Sequence, residues 1–122
     1  MTFNIKLAKF MVRNYSYARQ KLRETIYSLA TGPGDIRKRL TQSYNGFFDL
    51  QKSEFPLKLQ AEWEWIQKEL KKFGPIIRED GSVFRGAVEN TCTKIKNSTG
   101  VKIAERMLKI YLSLESNNTM IR

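Results

Sequence analysis

A chain of 122 residues with 22 Lys and Arg, 12 Asp and Glu and no histidine carries a net charge of +10. Its hydrophobic residues (41%) and charged residues (28%) are balanced as in one ordinary folded domain, which excludes a disordered or fibrous chain. Without histidine the commonest general base and the commonest metal ligand are missing, so neither an enzyme nor a metal or other cofactor is expected.

The single cysteine, Cys92, has no partner for an intramolecular disulfide. The first six residues, Met1 to Lys6, lack the apolar core and small-residue cleavage site of a secretory signal. No apolar run approaches the ~20 residues of a membrane span. Together these predict a cytoplasmic protein. On that expectation the sequons at Asn14, Asn97 and Asn117 are chance matches.

In chain order, Leu7, Met11, Tyr15, Ala18, Leu22, Ile26 and Leu29 recur every three or four residues and predict one helix from about residue 4 to residue 30. Gly32-Pro33-Gly34 ends it, and Asp35 is placed to cap the next. Ile36, Leu40, Tyr44 and Phe47 give the second helix an apolar stripe to about Gln51. Ser53-Glu54-Phe55-Pro56 reads as a break. Pro56 suits the first turn of a third helix, with Leu59, Trp63, Ile66, Leu70 and Phe73 inward.

Gly74-Pro75 stops that helix, and residues 74–81 are predicted to be the longest loop. Ser82 is the expected cap of a fourth helix, with Phe84, Val88, Thr91 or Cys92, and Ile95 inward. After an interruption at 96–100, with Ser98 or Thr99 as cap, a fifth helix is predicted to Ser116, burying Val101, Ala104, Leu108, Tyr111 and Leu112. No stretch alternates with period two long enough to predict a sheet. The expectation is all-α: a compact bundle of four to five helices, mostly antiparallel, joined by short loops. Residues 1–116 form a single domain, and 117–122 a frayed tail.

The charge is concentrated. Residues 1–40 hold nine basic groups (Lys6, Lys9, Arg13, Arg19, Lys21, Arg23, Arg37, Lys38 and Arg39) and two acidic ones, Glu24 and Asp35. A merely solvated face would mix signs. Lys6, Lys9, Arg13, Arg19 and Arg23 share one side of the predicted first helix, bordered by Tyr17 and Tyr27, and cations interleaved with aromatics suit phosphates and bases. Arg37, Lys38 and Arg39 follow at a helix start, where free amides also attract anions. No Gly-Lys-Ser/Thr follows, so this is not a P-loop.

Phe3, Phe10 and Tyr17, spaced by seven, form a second apolar stripe, and Tyr27 and Trp65 also point away from the predicted core faces. These five are the predicted surface for a partner or for self-association. Weaker motifs are a helix-turn-helix over residues 93–104, presenting Thr99, Lys102, Arg106 and Lys109 to DNA, and a Glu62/Glu69 pair without the histidines of a di-iron bundle. Cys92 reads as a buried structural thiol. The sequence therefore predicts a non-enzymatic binding module for an anionic macromolecule, RNA or DNA ahead of an acidic protein, within a larger complex. The alternative is a protein-interaction or homo-oligomeric module with no nucleic-acid role.

Overall fold

The computed structural model describes the backbone of residues 15–121 and the side chains of residues 15–116. Among the described residues are five α-helices: α1 (Ser16–Thr31), α2 (Ile36–Ser43), α3 (Leu57–Lys71), α4 (Ala87–Lys94) and α5 (Asn97–Ile121). One two-stranded antiparallel hairpin, β1 (Ile76–Ile77) with β2 (Val83–Arg85), stands between α3 and α4. The all-α expectation holds.

The long helix α5 is the hub, touching α1, α2 and α3, while α4 closes the remaining side against α2 and α3. Its buried stripe is Ile103, Met107, Ile110 and Leu114. Of the five inward residues predicted for this helix, Val101, Leu108 and Leu112 are exposed, and only Ala104 and Tyr111 touch the core. The helix is apolar on two sides with the same period, and contact with α1, α2 and α3 selects the Ile103 side. Gly100 lets α5 approach α2 closely: a Cβ there would lie 3.0 Å from Ile36 Cγ2. The helix starts at Asn97, before the predicted Ser98 or Thr99 cap, and continues past Asn117-Asn118 to Ile121.

In α1 the predicted stripe is right where it is described: Ala18, Leu22 and Leu29 are buried, and Tyr15 and Ile26 lie against the core. The predicted continuity is not. Tyr15 sits at φ 55°, ψ 38°, in the left-handed region, which no right-handed helix accommodates. Lys6, Lys9, Arg13, Phe3 and Phe10 lie outside the described residues.

The second helix is shorter than predicted. It ends at Ser43, and residues 44–56 run through two short 3-10 turns, Tyr44–Gly46 and Lys52–Glu54. This irregular segment supplies Phe47, Leu50 and Phe55 to the core. Trp63 of α3 is sandwiched among them, with ring centroids 5.9 Å from Phe47 and 4.7 Å from Phe55. Its indole N–H donates to the Leu50 carbonyl at 3.1 Å, which answers the one polar atom of an otherwise apolar burial. Apolar anchoring and that hydrogen bond replace regular structure here.

The largest departure is at residues 73–86. Helix α3 stops at Lys71, so Phe73 falls outside it and is exposed. Ser82 caps nothing. It and Phe84 belong to the hairpin, and α4 begins after Gly86. Glu79, Asp80 and Gly81 make the turn: the Gly81 N–H donates to the Arg78 carbonyl at 2.9 Å, and Gly81 itself sits at φ 87°. Asp80 Oδ1 accepts hydrogen bonds from the Ser82 backbone N–H and hydroxyl, and the Arg78 N–H donates to the Ser82 carbonyl. An Asp-Gly pair between two apolar doublets, Ile76-Ile77 and Val83-Phe84, is a hairpin signal.

Candidate functional site

The predicted anion site at the start of α2 is already filled from within. Asp35 is the N-cap, its carboxylate accepting from the Arg37 and Lys38 backbone N–H groups. The Arg37 guanidinium binds the same carboxylate at 2.7 Å and reaches across to the Ile95 carbonyl at 3.1 Å. Arg37 first, then the Lys38 amide, holds the Asp35 carboxyl below the usual range. Arg39 donates to the Leu29 carbonyl at the end of α1. Here Arg37 and Arg39 connect elements, and Lys38 alone of the three projects into solvent with no ion pair among the described residues.

On α1, Arg19 and Arg23 both turn toward α5 and share one carboxylate, Glu115, at 3.4 and 2.9 Å. Arg23 also donates to the Tyr111 hydroxyl. Tyr17 donates its hydroxyl to Asp49 at 2.6 Å, which raises its pKa, and Lys21 lies 5.5 Å from its ring centre. Tyr27 is 71% exposed, the most open aromatic of this helix. Trp65 is half-buried against the core, with the Arg106 guanidinium 4.4 Å from its ring centre. Arg106 also holds Glu62 at 3.1 Å, so Trp65, Arg106 and Glu62 join α3 to α5. That engagement takes Arg106 out of the predicted helix-turn-helix face, and Glu62 out of a carboxylate pair with Glu69, which binds Lys72.

Cys92 is buried between α2 and α4, under an open groove of about 550 Å³ lined by Asp35, Arg37, Lys38, Thr41 and Glu89. Burial pushes its thiol pKa up, away from the thiolate that a nucleophile needs. Among the described residues no group of three or more Cys, Asp or Glu could hold a metal ion. No helix among them is long and apolar enough to cross a membrane.

A second basic and aromatic cluster was missed from sequence. Phe84 is 56% exposed, with the Arg78 and Arg85 guanidiniums 5.2 and 5.6 Å from its ring centre. Phe73 is 48% exposed, with the Lys72 and Lys94 ammonium groups each 5.7 Å from its centre. Ile77 and Val83 extend the apolar surface between them in sequence. Buried Asn90 and Thr91 of α4 fix the root: Asn90 Nδ2 donates to the Gly74 carbonyl at 2.8 Å, and the Phe73 N–H donates to Thr91 Oγ1 at 3.2 Å. Reading Phe73 and Phe84 as inward helix residues hid this cluster. The legible signal was the Asp80-Gly81 turn.

Compared with protein-family models, with curated proteins and with solved structures, the chain has no match.

Proposed function

We propose that this protein is a small, non-enzymatic, cytoplasmic module that binds nucleic acid, chiefly through the phosphate backbone, as a part of a larger complex. The observation that carries the reading is the charge of the first 40 residues, nine basic groups against two acidic. Lys38 of that set is exposed and has no ion pair among the described residues. Elsewhere Lys58, Lys68, Lys102 and Lys109 are exposed and likewise form no ion pair among the described residues. Backbone phosphates reward such a distribution without demanding a fixed sequence. Purified protein is expected to bind labelled single- and double-stranded RNA and DNA at low salt. Lys9→Glu with Arg13→Glu is expected to weaken that binding with no change in thermal unfolding. No binding at low salt, or full affinity in the double variant, would contradict the proposal.

A second reading, self-association, is favoured by one observation. Val101, Leu108 and Leu112, spaced seven and four apart, are exposed on one side of α5. If α5 pairs with a second copy, light scattering will give a mass that rises with concentration, and Leu108→Glu will hold the chain monomeric. A constant monomer mass excludes it.

A further inference from the structure

We propose that the hairpin between α3 and α4 is a stacking platform for unpaired bases, which makes single-stranded nucleic acid the preferred ligand. The inference rests on the nucleic-acid reading above and adds a site and a strand preference to it.

The argument starts from the register. Ile76 pairs with Arg85 and Ile77 with Val83, so Phe84 has no partner across the hairpin and forms a β-bulge. A bulge re-aims the side chain it carries. Here it leaves a phenyl ring flanked by two guanidiniums yet more than half exposed. If the arginines served only to shield the ring, little of it would remain open. Arg78 is held in place by bonds to Ser82 Oγ and the Val83 carbonyl, and Arg85 by Glu89 at 3.5 Å. These contacts place both guanidiniums beside the ring from within the hairpin and α4.

Phe73 repeats the arrangement with ammonium groups. It is tied to the C-terminal half of α4 through Thr91 and Lys94, while Phe84 is tied to the N-terminal turn through Arg85 and Glu89. Helix α4 has eight residues and so spans about 12 Å. The two rings are thus anchored toward opposite ends of that helix. The exposed Phe84 ring and the planar guanidiniums over it offer stacking surfaces to any base, and the cations meet the phosphates that follow it. In a duplex the base faces are already stacked and only the backbone cations would act. Ring chemistry therefore separates single strands from duplexes where charge alone does not.

The test uses the full chain, with a short single-stranded oligonucleotide carrying the fluorescent base 2-aminopurine, its duplex, and phosphatidylserine vesicles. Wild type is expected to bind the single strand more tightly than the duplex and to change the 2-aminopurine emission. Phe84→Ala and Phe84→Leu should each weaken single-strand binding about 5- to 100-fold. Phe84→Tyr should retain it, and Phe48→Ala, an exposed ring elsewhere, should leave it unchanged. All of these rings lie outside the buried core, so thermal melts serve as the folding control. If wild type binds nucleic acid but Phe84→Ala matches it, or Phe84→Leu keeps full affinity, or the duplex is preferred, the platform is wrong while the nucleic-acid reading stands. If wild type binds vesicles and no oligonucleotide at low salt, both are wrong.

Discussion

Replacing Trp63 by alanine should cost the domain about 3–5 kcal/mol, the range for emptying a fully buried aromatic site. Trp63 is 1% exposed, and it closes on Phe47 and Phe55. Those two rings come from a segment whose only regular structure is two single 3-10 turns. Such a segment has few backbone bonds of its own to resist opening, so the indole is what it folds around. Natural domains hold about 5–15 kcal/mol in reserve, so the variant loses a large fraction of its stability. Trp63→Phe keeps most of the apolar contact but leaves the Leu50 carbonyl without its donor, and should fall between the two. Urea unfolding followed by far-UV circular dichroism measures all three. A loss below about 1 kcal/mol in Trp63→Ala would mean that the 44–56 segment is not held by this cluster.

Asn90→Ala should cost about 1–3 kcal/mol, because it empties a buried side-chain site and leaves the part-buried Gly74 carbonyl without its donor. Asn90 is 1% exposed in a helix of eight residues, and its amide bonds the Gly74 carbonyl just past the end of α3. Its contribution is the accurate placement of the hairpin root. Asn90→Leu keeps the volume and removes the donors, so it should be as destabilising as the alanine variant. If leucine restores stability, packing rather than hydrogen bonding holds the root. In either variant, amide exchange should rise first at residues 74–86, since the hairpin loses its anchor before the core loses its contacts.

What could be read from the sequence follows a physical line. Where one face of a helix is apolar and the other is not, as at Leu22 and Leu29 or at Trp63, Ile66 and Leu70, the period alone identified the buried side. Helix α5 is apolar on two sides, and only the tertiary contacts choose Ile103, Met107, Ile110 and Leu114 over Leu108 and Leu112. The helical spacing of Phe73 after Leu70 and of Phe84 before Val88 predicts both rings inward. A two-residue and a three-residue strand are too short to announce themselves by alternation. The cations were visible as a count, but not their partners. That Arg37 and Arg39 bond carbonyls of α4's end and α1's end, and that Arg106 braces Trp65, depends on elements far apart in sequence.

The central claim is that a charged surface meets a phosphate backbone, and its most direct test is affinity for a labelled oligonucleotide measured from about 50 to 200 mM salt. Each phosphate neutralised releases counterions, so a surface contacting roughly six phosphates should lose about a thousandfold in affinity across that range, with log K linear in log salt. Affinity that stays flat with salt, or no binding at 50 mM, would contradict the claim.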